Sequence, residues 1–306
     1  MKIEKTSFGG WANCLRIAND HAELIVTLDV GPRVVSYQHL PGGKNVLKVN
    51  TEEQGRSGED QFMARGGHRI WLAPEDERTY QPDNSPVTYE LLPNGVRLEN
   101  AALAPWHIKK TLTITLAADT SLVALDHRAT NEGTDPATLA TWGITVMEAG
   151  GLEIIPRPPM GHHPQDLRPN RVQVFWPYTD TADDRWRWGR EFITLRQTAH
   201  SAPTKLGLRH EMKWVGYLSR HALFMKLIEF EPGATYPDFG CNFETFSNAQ
   251  MLEIESLSPL RTLLPGQSVG HTESWRVFGS IPEPHSLKEE ALGDWIEPFL
   301  AKMGLL

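Results

Sequence analysis

The 306 residues carry a formal charge of −8 and are 40% hydrophobic, which supplies a sizeable core and argues against sequence-independent binding of nucleic acid. Residues 1–20 lack a basic segment followed by an apolar one, and no apolar run approaches about 18 residues. We therefore expect neither export nor a membrane partner, and we place the protein in the cytoplasm. Cys14 and Cys241 are too few for a disulfide framework, and we expect both to be reduced.

Most of the chain consists of short runs rich in β-branched and aromatic residues that end at turn residues, a pattern typical of strands. The predicted strands, in chain order, are residues 23–30, 33–39, 87–92, 96–99, 108–116, 122–131, 138–147, 172–176, 192–195, 214–218, 222–229, 241–247, 251–257 and 268–277. Helical spacing is firm only near the C-terminus, where Ser286 is a candidate cap and Leu292 and Trp295 lie one turn apart. The sequence predicts one contiguous all-β domain over residues 1–306, a large antiparallel β-sandwich with a short helix at about 286–303.

Two carboxylates lie close together on the predicted strand 251–257. Residues two apart in a strand point to the same side, with Cα atoms roughly 7 Å apart, so Glu253 and Glu255 share a face while Leu252 and Ile254 face the core. Neighbouring carboxylates raise one another's pKa, which can leave one as a base and the other as an acid near neutral pH. The alternative is a wet outer sheet face with two solvated glutamates.

Several motifs together resemble the galactose mutarotase-like superfamily, and most closely an uncharacterised branch of it, a domain-of-unknown-function family. They are Asp29-Val-Gly-Pro-Arg33, the block Ala64-Arg-Gly-Gly-His-Arg-Ile-Trp-Leu-Ala-Pro-Glu75, and the late Glu-x-Glu-x-Leu-Ser-Pro followed by Leu264-Pro-Gly-Gln-Ser-Val269. The resemblance implies a large antiparallel β-sandwich, the mutarotase-like supersandwich, with sugar sites on one concave face. It also implies anomer interconversion by a histidine acid and a glutamate base.

The resemblance carries over to individual residues of this chain. Glu255 is the better match for the base, and Glu253 is second. Arg65, in an Arg-Gly-Gly block like that of hexose-6-phosphate epimerase relatives, and Arg69 would contact substrate oxygens as guanidinium forks do. If both arginines and His68 line one pocket, a phosphate or carboxylate on the sugar is expected; the alternative for each arginine is a paired or solvated surface charge.

The sequence departs from the family pattern at the acid histidine. The family places this residue on a strand in the middle of the chain, whereas the corresponding stretch 140–147 contains none. Candidate substitutes are His68 on the Gly-Gly turn, His162 and His163, and His271, because histidine titrates near neutral pH. The sequence leaves the choice among them open.

Further substrate-binding candidates come from aromatic and polar clusters. Ten tryptophans favour stacking against sugar rings, and Trp71 and Trp176 are the candidates for this role, although tryptophan is also ordinary core. Asp238 and Glu244 lie in a polar cluster between turns, where they either accept hydrogen bonds from sugar hydroxyls or stabilise the turns. His162 and His163 lack the spacing of a metal site, so we expect no metal.

Three functions remain open at this stage. The first is an aldose-epimerase-like enzyme acting on a free or modified aldose, the second is a sugar-binding protein without turnover, and the third is a lyase or isomerase of an acidic sugar. No phosphate-loop or dinucleotide glycine pattern appears, so we expect no cofactor. The predicted partner is a small-molecule carbohydrate, and the oligomeric state is left open.

Overall fold

The computed structural model describes residues 1–199 and 201–306 and consists mainly of antiparallel strands. The first ten strands are β1 Lys2–Phe8, β2 Trp11–Ala18, β3 Ala22–Thr27, β4 Arg33–His39, β5 His68–Ala73, β6 Thr88–Leu92, β7 Gly95–Glu99, β8 Ile108–Leu116, β9 Val123–Asn131 and β10 Ala137–Met147. The others are β11 Leu152–Pro156, β12 Gln173–Phe175, β13 Trp186–Trp188, β14 Phe192–Arg196, β15 Thr204–Leu208, β16 Trp214–Ser219, β17 Ala222–Ile228, β18 Phe243–Ser247, β19 Leu252–Leu257, β20 Arg261–Leu263 and β21 Ser268–Phe278. A 3₁₀ turn spans Glu77–Tyr80.

The strands form two large sheets packed face to face, which confirms the predicted all-β sandwich. Sheet 1 has the order β1-β2-β3-β4-β5-β10-β19-β18-β15-β12, with β20 paired to β10. Sheet 2 has the order β13-β14-β11-β16-β17-β21-β9-β8-β7-β6. Apolar side chains from the inner faces of both sheets form one core cluster, which includes Leu252 and Ile254 from sheet 1 and Phe224 and Trp275 from sheet 2.

Strand β10 lies at the centre of sheet 1 and organises the candidate site. It pairs with β5 on one side and β19 on the other, so that Ile144 lies between Arg69 and Glu255. Strand β5 was not among the predicted strands: His68 is its first residue rather than part of a turn. All six β5 residues are buried, and the last four are apolar or aromatic. A short continuous apolar run has no alternation that would identify it as a strand, which is why the sequence did not predict β5.

The C-terminal helix α1 spans Glu289–Met303, slightly shorter than predicted. Lys288, not Ser286, is its N-cap residue; the Ser286 hydroxyl accepts a hydrogen bond from the Lys288 amide at 3.1 Å, just outside the helix. The buried residues Leu292 and Ile296 pack against apolar side chains of sheet 2. Within residues 1–199 and 201–306, no helix has both the length and the apolar character needed to cross a membrane.

Candidate functional site

Three carboxylates lie side by side on the face of sheet 1 that points away from sheet 2, called here the outer face. Glu253 and Glu255 project from β19, and Glu244 lies directly opposite Glu255 on the neighbouring strand β18. Glu253 and Glu255 therefore share one face of the strand, as the sequence predicts. These carboxylates are not solvated: only 9% of Glu253, 1% of Glu255 and none of Glu244 is exposed. Burying three acidic groups together requires compensating charge or protons.

Lys205 on β15 supplies one compensating charge. Its Nζ lies 2.8 Å from Glu244 and 3.1 Å from Glu255. The same nitrogen lies 4.5 Å from the ring centre of Trp142 and 4.7 Å from that of Trp176, within cation–π range. Burial opposes the charged form, but the carboxylates of Glu255 and Glu244 raise the pKa of Lys205 above its ordinary value. Lys205 is therefore a fixed cation and not a nucleophilic amine.

Trp142 completes the environment of Glu255. Its indole Nε1 donates a hydrogen bond to Glu255 Oε2 at 3.0 Å, and Lys205 donates to the same oxygen. Within the described chain no hydrogen bond reaches the other oxygen, Oε1. A cation and an indole N–H thus hold the same carboxylate oxygen in place. Glu255 thus has one oxygen anchored by two donors and one oxygen without a hydrogen bond from the described residues.

The surroundings of Glu244 and Glu253 raise the pKa values of these two carboxyl groups. Burial, together with the charges of Glu255 and Asp238, raises the pKa of Glu244 well above its ordinary value, against the effect of Lys205. Burial also raises the pKa of Glu253 from 4.5 to about 7, with Glu255 adding to the increase and Arg69 opposing it. Glu244 and Glu253 therefore keep their protons to a higher pH than an ordinary glutamate does.

The raised pKa of Glu253 predicts a pH-dependent contribution to stability. Because the folded state binds this proton more tightly than the unfolded state, the contribution is fully present below pH 4.5 and is lost as the pH rises through about 7. In Glu253→Gln the side chain is neutral at every pH. We expect the wild-type free energy of unfolding to fall relative to the variant by on the order of 3 kcal/mol across that interval. Urea unfolding at several pH values measures this, and a constant difference would contradict it.

Arg69 on β5 borders the carboxylates from the other side of β10. Its Nη2 lies 3.8 Å from Glu253 Oε1, and its guanidinium lies over the rings of Trp71 at 5.3 Å and Phe62 at 5.8 Å. Tyr80 packs edge-on against both of these rings. The predicted substrate residues Arg69 and Trp71 therefore lie at one side of the carboxylates, and Trp176 lies at the other beside Lys205.

Arg65 is not part of this site. It is fully buried and has a left-handed backbone, with φ of 56°. Its guanidinium donates to Glu59, to Asn84 Oδ1 at 2.9 Å and to the carbonyl oxygens of Glu53 and Arg56 at 3.0 and 2.8 Å. These bonds organise the loop before β5, so Arg65 has a structural role in this fold in place of the substrate contact expected from the sequence.

His68 and His271 lie on the opposite side of sheet 1 from Glu255. His68 begins β5 one position before Arg69, so alternation turns it into the sandwich interior, where its Nδ1 lies 2.9 Å from Thr145 Oγ1. His271, from sheet 2, meets Ser256 Oγ at 2.9 Å. Burial lowers the pKa of both histidines well below the ordinary value. Neither residue is brought to the outer-face carboxylates.

The interior histidines also include the best candidate for a metal centre. Donor atoms of His68, His127 and Glu273 lie within 4.8 Å of one another. However, the two Nε2 atoms are 2.7 Å apart, closer than the roughly 3.3 Å between two nitrogens on one tetrahedral zinc. Lys226 Nζ already neutralises Glu273 at 2.8 Å. The arrangement fits a hydrogen-bonded network better than a metal site.

The remaining predicted residues are peripheral. His162 and His163 lie exposed in the segment between β11 and β12, where the His162 amide donates to Asp166 at 2.8 Å. Asp238 is in a turn with φ of 49°, close enough to Glu244 to affect its pKa. The sequence reasoning missed Lys205. Its neighbours Leu206 and Leu208 alternate with it, but the run is only five residues long and was not recognised as a strand.

Comparison with solved structures identifies the fold. A TPR-domain containing protein from Parabacteroides distasonis matches with a TM-score of 0.58 and 14% identity over 90% of this chain, which spans 48% of that protein. A galactose mutarotase-like protein from Lactobacillus casei matches with a TM-score of 0.57 and 11% identity, covering 87% of this chain and 100% of that one. Another from Clostridium acetobutylicum gives 0.56 and 12%, covering 91% and 98%.

No family model matches this chain, and no curated protein is significantly similar to it. The structural matches cover most of the chain at low sequence identity. The chain therefore has the galactose mutarotase-like fold that the motifs predicted.

Proposed function

We propose that this protein acts on a free or modified aldose and interconverts its anomers by proton transfer on the outer face of sheet 1. The observation that supports this most directly is the buried cluster of Glu244, Glu253, Glu255 and Lys205. A purely structural sheet face would not need three neighbouring buried carboxyl groups, since burying them costs free energy. Galactose mutarotase-like proteins share the fold, which agrees with a sugar ligand.

The surroundings of the cluster suit a sugar ring. Trp142 and Trp176 flank Lys205. Phe246 on β18 lies directly opposite Glu253 on β19, and the half-exposed Tyr178 packs edge-on against Phe246 with ring centres 6.5 Å apart. Aromatic faces cover the C–H faces of sugars, and carboxyl groups accept or donate hydrogen bonds to hydroxyls. In this proposal Glu255 Oε1 takes the proton of the anomeric hydroxyl.

A second candidate, a lyase or isomerase of an acidic sugar, is favoured by Lys110. Only 7% of this residue is exposed, and within the described chain its Nζ makes no direct hydrogen bond or ion pair, although the charge of Asp83 partly opposes the lowering of its pKa by burial. Nζ lies 5.8 Å from the ring centre of Trp71, and the Arg69 guanidinium lies over the same ring. A carboxylate or phosphate on the sugar would pair with both cations.

Ligand-detected NMR on neutral, phosphorylated and acidic sugars tests these functions, because binding and anomeric exchange appear in the same spectra. We expect at least one aldose to exchange its anomers faster than the spontaneous rate. Binding confined to acidic sugars, without exchange, would favour the second candidate. Binding of neutral sugars without exchange would indicate a sugar-binding protein, and silence across the panel would contradict a sugar ligand.

A further inference from the structure

Anomer interconversion needs a proton donor as well as an acceptor. Among residues 1–199 and 201–306, no histidine forms a hydrogen bond or ion pair with Glu244, Glu253 or Glu255. His68 and His271 face the sandwich interior. Among the described residues, the groups that border the carboxylates are therefore the candidates for the donor.

Exposure and hydrogen bonding distinguish the three carboxyl groups. The Glu253 side chain is 12% exposed, whereas that of Glu255 is 1% exposed and that of Glu244 is fully buried. Lys205 contacts Glu244 and Glu255 directly, while the nearest cation to Glu253 is Arg69 at 3.8 Å. Glu253 is thus the most accessible and the least tightly paired of the three.

We propose that Glu253 is the proton donor of this site, a carboxylic acid used where the mutarotase-like pattern would use a histidine. The assignment rests on the proposed function. Glu253 is two residues from Glu255 on the same strand face, so the two side chains can reach neighbouring oxygens of one sugar ring. Its cross-strand neighbours Val146 and Phe246 are apolar, which favours the uncharged acid.

Four charged groups face Glu253 from the surrounding elements. Burial raises its pKa to about 7; Glu255 on its own strand and Glu75, in the segment after β5, add to the increase, whereas Arg69 from β5 and Lys205 from β15 oppose it. A donor is most effective when its pKa is near the working pH. Ionisation of this group should therefore remove activity as the pH rises above neutrality.

The proton balance of the reaction closes within the pair. Glu255 takes the proton from the anomeric O–H, and the electrons of that bond form the C1=O bond. The bond between C1 and the ring oxygen breaks, and its electron pair takes the proton of Glu253. After rotation of the open-chain aldehyde, the reverse steps close the other anomer and return both protons. No oxidant, reductant or metal is needed.

Anomeric exchange measured from pH ~5 to ~9 in wild type, Glu253→Gln and Glu253→Asp tests the assignment. We expect the exchange rate of Glu253→Gln to fall by about 10²-fold while sugar binding is retained, and Glu253→Asp to keep part of the wild-type rate. The exchange rate should decline at alkaline pH in wild type and Glu253→Asp, which have a carboxyl group at this position, but not in Glu253→Gln. Glu290→Gln, an exposed position on α1, is the matched control and should behave as wild type.

Each other outcome overturns the assignment in a distinguishable way. Rapid exchange in Glu253→Gln would refute the donor role and leave the proposed function intact. Loss of both binding and exchange would assign Glu253 to ligand binding instead. A wild-type protein that does not accelerate exchange of any aldose would refute the proposed function, and the donor role with it.

Discussion

Replacing Glu255 with Gln should reduce anomeric exchange by about 10³-fold while leaving sugar binding largely intact. The amide has nearly the same shape as the carboxylate but does not accept the proton of the anomeric hydroxyl. The amide oxygen can still accept the hydrogen bond from Trp142 Nε1, which is 3.0 Å long in the wild-type protein. Lys205 keeps its contact with Glu244, at 2.8 Å in the wild-type protein. The chemistry is therefore removed with little change in the surrounding contacts.

Ligand-detected NMR on this variant gives binding and exchange together, and a thermal melt establishes that it folds. The control is again Glu290→Gln, which changes one exposed carboxylate far from the site in sequence. If Glu255→Gln exchanged anomers at the wild-type rate, Glu255 would not be the proton acceptor. If it bound no sugar, the role of Glu255 would be in recognition.

Replacing Lys226 with Met should destabilise the fold by about 3–5 kcal/mol. Lys226 projects from β17 of sheet 2 and lies 2.8 Å from Glu273. Its Nζ also donates to Thr145 Oγ1 and to the carbonyl of Ile254 at 3.0 Å, and to that of Gly143 at 3.3 Å, all on sheet 1. The variant leaves a carboxylate buried without its cation and breaks bonds between the two sheets.

Urea unfolding measures this loss of unfolding free energy, and two further variants establish its cause. The double variant Lys226→Met with Glu273→Gln should recover part of the stability, because it leaves no unpaired buried charge. Lys109→Met removes a partly exposed lysine that pairs with Glu132 at 2.6 Å, and should cost less than about 1 kcal/mol. A loss of that small size in Lys226→Met would show that the interior network contributes little to stability.

The strand pattern was largely readable from the sequence. Period-two alternation placed Glu253 and Glu255 on one face and Leu252 and Ile254 in the core, as the structure has them. Turn residues marked most strand ends. Several strands were missed, among them β1 and β2 at the start of the chain and the strand that carries Lys205. A five-residue buried run such as β15 gives too few periods to identify.

The surroundings of each side chain were not readable in this way. The sequence suggested histidines as proton donors, but alternation on β5 turns His68 inward and Arg69 outward, and this register depends on where the strand begins. Likewise Arg65 belongs to a buried loop network with Glu59 and Asn84, a set of contacts that the Arg-Gly-Gly motif does not reveal.

The sequence by itself therefore determined the sandwich class, the C-terminal helix and the shared face of Glu253 and Glu255, because these depend on local periodicity and turn chemistry. Only the tertiary structure decided that this face is buried, and that Lys205 and Trp142 anchor Glu255. Lys205 and Glu255 are 50 residues apart in the chain and meet only because β15, β18 and β19 are neighbours in one sheet. Burial and charge pairing, which set the pKa values of the site, arise from contacts between such distant residues.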